Sequence, residues 1–244
     1  MKMPCGVSAP ADYDVIGFLG EAKYTGVCEI LENGHIRLLT SGVLIVKNDV
    51  MLDACLVGGG AAGGQTANGN GGGGGSGYTL TRHSIRLLAG RRYAVTIGQG
   101  GTAADSTASD ATGEDGGETI AFGWVAPGGH GGGPDSGGDG GSGGGDAGSS
   151  SYTGGVDGSD GLGPDGGTGQ GRTTRAFGDA DGELYASGGR GGYLTAFGGL
   201  PAPEDCTGDG GAGSCFYIDE VTLQAHYCTA NNGASGVVII RAAA

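Results

Sequence analysis

The chain has 244 residues, 62 of them glycine, and a formal net charge of −14. Between Thr102 and Glu183 there are fourteen acidic residues against two arginines, and a surface of that charge repels phosphate backbones, which argues against nucleic acid as a partner. No apolar run has the length needed to cross a bilayer, and the first residues lack the apolar region of a secretory signal. We therefore expect no membrane insertion, and synthesis in a cytoplasm.

The first 22 residues differ in character from the rest of the chain. They contain Pro4, Pro10, scattered charge and one apolar patch, YDVIGFL. We predict that residues 1–22 form an attachment or oligomerisation segment and that residues 23–244 form a single glycine-rich domain.

Short β-strands are predicted before the long glycine runs. Residues 24–57 contain four apolar runs, separated in part by the turn-type pairs Asn-Gly at 33–34 and Asn-Asp at 48–49. A second set, SIRLLAG and RRYAVTIG, surrounds Gly90 and alternates apolar residues with a period of two. We expect short antiparallel ribbons and almost no α-helix.

The glycines are concentrated in one part of the chain. Six precede Gly58 and two follow Gly213, so 54 lie between these positions. Glycine loses much backbone entropy on ordering and buries no side chain, so such a tract orders only where neighbouring backbones satisfy one another's hydrogen bonds. Polyproline-II helices have about three residues per turn and point every N–H and C=O outward. We predict a mainly β domain in which short antiparallel strands frame a bundle of polyglycine-II helices.

Two other kinds of glycine-rich chain are alternatives. Collagen requires glycine at every third position with abundant proline, whereas this chain has seven prolines and irregular glycine spacing. A disordered linker stays open from composition alone. The short strands that interrupt the glycine runs, however, are untypical of linkers.

The segment 200–230 departs from the glycine-rich pattern and carries cysteine and aromatic residues. We predict that it is an inserted loop, followed by a final strand in SGVVIIR. Its VTLQAHY run alternates apolar and polar residues, so one face of it is a candidate for burial.

The six cysteines fall into two groups. Cys5, Cys28 and Cys55 are expected to be free packing thiols, since the chain is made in a cytoplasm. Three others crowd one segment, where a disulfide can form after release to an oxidising medium. Within that group of Cys206, Cys215 and Cys228, the candidate pair is Cys206 with Cys215.

Several motifs resemble binding or catalytic signatures but lack the required context. GGGAAG at 58–63 fits the spacing of a dinucleotide-binding loop, yet more glycines follow it instead of an amphipathic helix. The four histidines stand far apart, and we predict no metal site built on them. Aspartates among the glycines lack a nonapeptide period, so solvated turns are the preferred interpretation, with calcium binding left open.

Catalysis is also disfavoured by the sequence. No G-x-S-x-G nucleophile signature is present, and glycine layers offer little material for an apolar pocket that could separate the pKa values of two carboxylates. We predict that the protein is not an enzyme and binds no cofactor.

Aromatic side chains on a rigid scaffold offer a large contact area at low entropy cost, and many surfaces use them to recognise sugars or proteins. The alternative is that each one closes the end of a glycine bundle, which we prefer for Phe216 and Tyr227. The candidate receptor contacts are Trp124, Tyr152, Tyr193, Phe197 and Tyr217.

Four arginines form a basic patch in the acidic chain. We predict that this patch faces a partner subunit. Its members are Arg82, Arg86, Arg91 and Arg92.

The order of these motifs resembles that of a known family. The strand leading into VGGG, the TIGQGG turn, GQGRTTRAFG and the final GVVIIR resemble, in that order, the glycine-rich domain of bacteriophage tail-fibre and related virion proteins. The resemblance covers residues 24–241. It implies a fibre-end domain of phages that infect Gram-positive bacteria, with a β framework and polyglycine-II helices, and host binding through variable loops between the glycine helices in some adhesins.

Two departures from that family matter. Relatives usually sit at the end of a much longer fibre protein, whereas only about twenty residues precede the domain here. The segment 200–232 also replaces a glycine block of the family, which marks it as a candidate recognition tip.

From this resemblance we expect a non-enzymatic protein of the virion surface, made in the host bacterial cytoplasm, that displays loops to a glycan or protein of the host cell. We expect it to contact other virion proteins through residues 1–22 and to form a homo-oligomer, with a trimer favoured. The alternative is a head-fibre or capsid-decorating protein without receptor contact.

Overall fold

A computed structural model describes residues 3–4, 14–67, 69–104, 110–147, 174–192, 203, 205–218 and 225–243. All strand pairs in it are antiparallel, and no α-helix occurs in these ranges. The mainly β prediction is therefore confirmed. No helix in the described part of the chain is long and apolar enough to span a membrane.

Two six-stranded sheets form the framework. The first has the spatial order β1 (Met3–Pro4), β4 (Cys28–Ile30), β5 (Ile36–Leu38), β16 (Val237–Ala242), β7 (Val50–Val57) and β9 (Thr79–Leu87). The second has the order β13 (Trp124–Ala126), β12 (Thr119–Ala121), β10 (Arg92–Thr96), β6 (Gly42–Val46), β3 (Glu21–Tyr24) and β2 (Asp14–Val15).

Shorter elements complete the described fold. Two-stranded sheets join β8 (Gln65–Thr66) to β11 (Asp110–Ala111) and β14 (Cys215–Ile218) to β15 (Ala225–Cys228). Two 3-10 turns span Gly17–Leu19 and Ala176–Gly178.

The two large sheets face each other across one apolar core. Leu52, Ala54 and Leu56 of β7 alternate along the strand and pack in the same cluster as Leu44 and Val46 of β6. Burial of this alternating set is the main stabilising term of the sandwich.

The outer face of the first sheet is buried as well. Cys55 and Val57 of β7 form a second apolar cluster with Phe177 and Tyr185. Because β7 is covered on both faces, its sequence MLDACLV is a nearly continuous apolar run rather than an alternating one.

Strand pairing differs from the predicted succession of hairpins. The turn at 33–34 does join the paired strands β4 and β5, as expected. The segment at 47–49, in contrast, crosses from the second sheet to the first, and the Gly90 turn crosses back. The predicted ribbon around Gly90 is therefore wrong, because β9 pairs with β7 in the first sheet whereas β10 pairs with β6 and β12 in the second.

The predicted final strand is present and lies in the middle of the first sheet. β16 pairs with β5 on one side and with β7 on the other. All of its central residues, from Val237 to Ile240, are buried.

The described glycine segments are hydrogen-bonded to one another through their backbones. Along residues 58–64, every third N–H donates to the same neighbour: one set to segment 72–78, the next to 114–117 and the third to 231–234, at 2.8 to 3.0 Å. A chain with about three residues per turn directs successive N–H groups to three sides in this way.

The same period governs segment 71–78. Its N–H groups donate in turn to segments 208–214, 127–133 and 142–145, again at 2.8 to 3.0 Å. Residues 71–77 are buried throughout, so backbone groups without side chains form a solid interior here, with their hydrogen bonds satisfied by neighbours.

Glycine is required in this interior because neighbouring backbones are in direct contact. A Cβ built on Gly74 would lie 2.6 Å from the carbonyl oxygen of Ala62 and closer still to that of Ala61. Both of these alanines are fully buried, so small side chains are accommodated only at particular positions.

Two predicted segment boundaries can be compared with the packing. Ile16, Leu19 and Ala22 belong to the sandwich core, so the last part of the predicted segment 1–22 packs with the domain. Within the predicted inserted loop 200–230, residues 208–214 exchange backbone hydrogen bonds with the glycine segments 58–64 and 71–78, so this part of the segment packs with the glycine layers.

Candidate functional site

Trp124 lies at an edge of the sandwich. It begins the edge strand β13, and 42% of its surface is exposed. The guanidinium of Arg82, from the edge strand of the other sheet, lies 4.3 Å from the centre of the indole ring. This cation–π contact holds the indole in place at the surface, so a predicted receptor contact and a predicted subunit contact stack on each other.

The other three arginines of the predicted patch line one surface groove of about 460 Å³ together with Tyr93 and Phe122. Arg86 is neutralised by Asp49, whose Oδ2 accepts a hydrogen bond from Arg86 Nη2 at 2.8 Å. A hydrogen bond from the Ala89 N–H, followed by that from Arg86, lowers the pKa of Asp49. Sequence reasoning missed Tyr93 and Phe122, although Tyr93 directly follows the Arg91-Arg92 pair.

A charged network lies on the outer face of the first sheet. Asp53 is almost fully buried and accepts hydrogen bonds from the Ser84 N–H at 3.0 Å, from His83 Nδ1 at 3.0 Å and from Arg241 Nε at 3.2 Å. Burial raises the pKa of Asp53, but these hydrogen bonds together outweigh it and leave the pKa lowered. Arg241 also pairs with Asp179.

The aspartate of this network stabilises an irregular point in β9. Between Leu52 and Ala54 the pairing of β7 with β9 shifts register by one residue, and Ser84 there has a φ of 55°. A left-handed residue in a bulge leaves its N–H without a ladder partner, and the carboxylate of Asp53 accepts that hydrogen bond. The network is therefore structural: it joins β7, β9, β16 and the segment that carries Asp179.

A small acidic pocket of about 270 Å³ opens beside the second apolar cluster. Asp179, Asp181 and Glu183 line it together with His35 and Tyr185. Burial, followed by the nearby positive charge of Arg241, lowers the pKa of His35, and burial raises the pKa of Tyr185. No set of three or more residues able to hold a metal ion occurs among the described residues.

The cysteines pair differently from the prediction. Cys215 is bonded to Cys228, and Cys206 is a free thiol. The physical reason is the strand register: β14 and β15 place Cys215 directly opposite Cys228, with the two Cα atoms 4.8 Å apart. Cys28 is also disulfide-bonded, so the expectation of a free thiol there is wrong, while Cys55 is free and buried.

Of the remaining predicted receptor contacts, Tyr217 alone lies in the described part of the chain. Tyr152, Tyr193 and Phe197 lie outside the described residues, and Tyr217 is on β14, opposite His226 in the strand pairing. Tyr227 is 61% exposed, so it does not close a glycine bundle as predicted. Tyr227 lies on β15, opposite Phe216 of β14, and apolar alternation in the sequence did not indicate its exposure.

Comparison with known proteins gives one family. The sequence profile of a glycine-rich domain matches residues 40–243, which is most of the chain. No curated protein matches the chain.

Proposed function

Because the chain belongs to the glycine-rich domain family, we propose that it is a non-enzymatic surface protein of a bacteriophage virion, in which a rigid glycine core displays contact surfaces for attachment to a host cell. The observation that carries this proposal is the hydrogen-bonded glycine interior joined to a β-sandwich. A core built from backbone contacts holds surface residues in fixed positions, which lowers the entropy lost on binding.

We also propose that the glycine segments are polyglycine-II helices. The three-residue period of their N–H donors supports this assignment, since three neighbours in turn accept from each segment. An experimental structure in which the backbone angles of residues 71–77 cluster near about −75° and +145° would agree with it, whereas φ values typical of β-strands would contradict it.

Exposed aromatic residues at fixed positions support the attachment role. Trp124 is held by Arg82, and Tyr227 stands on a hairpin closed by the Cys215–Cys228 disulfide. Aromatic side chains in such settings supply contact area without a large loss of conformational freedom on binding.

The proposal includes the assembly of the protein. The chain contacts other virion proteins through residues 1–22, and it forms a homo-oligomer, for which we propose a trimer of the 23.5 kDa chain. The native mass of the purified protein tests the trimer, and a monomer over the whole accessible concentration range would contradict it.

The attachment role is tested with fluorescently labelled protein and a panel of bacterial cells. We expect saturable binding to susceptible cells and competition with phage adsorption, and we expect Trp124→Ala to weaken both. Leu184→Ala is the matched control, because it removes an apolar side chain that is 55% exposed and is not part of the Trp124–Arg82 contact.

Protein that neither binds cells nor competes with adsorption would contradict an attachment role. Labelled antibody on intact particles would then locate the protein, and a position on the head would favour the capsid-decorating alternative.

A further inference from the structure

The arginine groove has the composition of a ligand site rather than of a solvated surface. It lies between the turn at 88–91 and the hairpin turn at 122–123, and Arg86, Arg91, Arg92, Tyr93 and Phe122 line it with their neighbours. The groove is partly apolar and partly cationic, which is the combination that recognises an amphipathic anion.

The turn at 88–91, which lies between Arg86 on β9 and Arg92 on β10 and contains Arg91, is held by hydrogen bonds within the protein. The N–H of Leu88 donates to the Tyr93 hydroxyl at 2.7 Å, that of Ala89 to Asp49 Oδ1 at 2.9 Å and that of Gly90 to the carbonyl of Val46 at 2.8 Å. Gly90 supplies the φ of 70° that a tight turn of this kind requires. Because these donors are satisfied within the protein, the turn is fixed before any ligand arrives.

The groove carries uncompensated positive charge in a chain whose net charge is −14. Asp49 neutralises Arg86, whereas Arg91 and Arg92 are exposed and form no ion pair within the described residues. The guanidinium of Arg91 lies 6.0 Å from the centre of the Tyr93 ring. Two guanidinium groups that line the same groove are suited to a carboxylate or phosphate.

Aromatic groups complete the groove. The Tyr93 oxygen accepts the hydrogen bond from Leu88, so its own proton is available for another acceptor. The Phe122 ring lies edge-on to the Tyr93 ring, with 6.2 Å between centres.

Phe122 occupies a position that does not favour it. It is the first residue of a two-residue hairpin turn and has a φ of 54°, next to Gly123 with a φ of 86°. Asn, Asp and Gly are preferred in such a turn, and a bulky residue with positive φ is strained. Strain of this kind is found at functional sites, where the side chain is needed in that place.

We propose that this groove binds an anionic saccharide, with the carboxylate or phosphate group on Arg91 and Arg92 and a sugar ring against Tyr93 and Phe122. The inference deepens the proposed attachment function by naming the class of ligand. It assigns Arg91 and Arg92 to a ligand instead of a partner subunit, while Arg82 and Arg86 serve contacts within the chain.

The test uses the purified full chain and calorimetric titration with trigalacturonate, with maltotriose as the neutral sugar of equal ring number and hexaglutamate as an anion without sugar rings. Glucose 6-phosphate and inorganic phosphate serve as a second pair that tells a phosphorylated sugar from the bare ion. We expect binding of a charged sugar only, weakened by added salt.

Substitutions locate the site. Arg91→Gln and Arg92→Gln should each weaken binding by about tenfold, as expected for the loss of one charged hydrogen bond. Phe122→Asn should weaken binding by about three- to tenfold, and it keeps the hairpin because Asn suits this turn. Arg190→Gln removes an exposed arginine outside the groove and is expected to leave binding unchanged.

Several outcomes would overturn the proposal: no binding of either charged sugar, equal binding of hexaglutamate or inorganic phosphate, or equal affinity of the groove variants and the wild type. A fall in native mass in Arg91→Gln would show that the patch is a subunit contact instead. Saccharide binding by a protein that does not bind cells would support the saccharide site in the groove and would contradict only the proposed attachment function.

Discussion

At the scale of single residues, the fold depends on the absence of side chains at particular glycines. Gly74 is the clearest case, because the carbonyl oxygens of Ala61 and Ala62 occupy the space that a Cβ would need. Gly69 is a useful contrast, since among the described residues a Cβ there would meet only the side chain of Thr66, at 3.5 Å.

We expect Gly74→Ala to lower the free energy of unfolding by about 1–3 kcal/mol or to prevent folding, because backbone must move to make room. Gly69→Ala should change it by less than about 0.5 kcal/mol. Chemical denaturation of both variants measures the difference. Equal stability of the two variants would contradict the close contact of the glycine segments.

The buried carboxylate of Asp53 gives a second prediction, on pH dependence. Its folded pKa lies below the ordinary value of 3.8, so its stabilising effect is fully present above that value and is lost as pH falls through the folded pKa. We expect Asp53→Asn to lower the free energy of unfolding at neutral pH by about 2 kcal/mol, since hydrogen bonds to a charged group are lost.

The control for this variant is Asp135→Asn, which changes an exposed carboxylate. Denaturation midpoints measured from neutral pH down through the acid range should fall less steeply in Asp53→Asn than in the wild type or the control. Parallel curves for all three proteins would show that Asp53 contributes nothing to the acid sensitivity.

At the scale of elements, the register of β14 and β15 determines which cysteines meet. Residues 215 and 228 face each other across the hairpin, so we expect peptide mapping of the unreduced protein to recover them joined and Cys206 as a free thiol. A bond of this loop length contributes about 3 kcal/mol in the chain-entropy description.

Paired serine variants check that contribution. Cys215→Ser with Cys228→Ser should lower stability, whereas Cys206→Ser should leave the disulfide pattern unchanged. Recovery of a peptide that joins Cys206 to either partner would contradict the structure.

Sequence patterns predicted the positions of the strands better than they predicted which strands pair with each other. Apolar alternation and the Asn33-Gly34 turn correctly indicated β4, β5 and the strand at the end of the chain. The pairing of β16 with β7 was not predictable, because the contact joins residues 237–242 to 52–57 and no local signal records it. Both faces of β7 are buried, so its sequence lacks a regular period of two. Periodicity therefore does not indicate which layer of the fold the strand belongs to.

The groove was also only partly predictable. The Arg86, Arg91 and Arg92 charges are visible in the sequence, but Phe122 joins them only through the pairing of β12 with β10. The disulfide partner was predicted wrongly for a related reason: the sequence shows that Cys206, Cys215 and Cys228 crowd one segment, whereas strand register decides which two of them pair.

At the scale of the whole molecule, the fold depends on glycine segments that satisfy one another's backbone hydrogen bonds. Each interior segment has several neighbours, so opening one of them breaks bonds to all the others. The glycine interior should therefore behave as one cooperative unit with the β-sandwich, not as a flexible addition to it.

Native-state hydrogen exchange of residues 58–64 and 71–77 tests this claim most directly. We predict that these amides exchange as slowly as those of β7 and β16, and that their protection is lost in the same denaturant range as the sandwich unfolds. Complete exchange of these glycine segments within seconds, while β7 and β16 stay protected, would contradict a hydrogen-bonded glycine core.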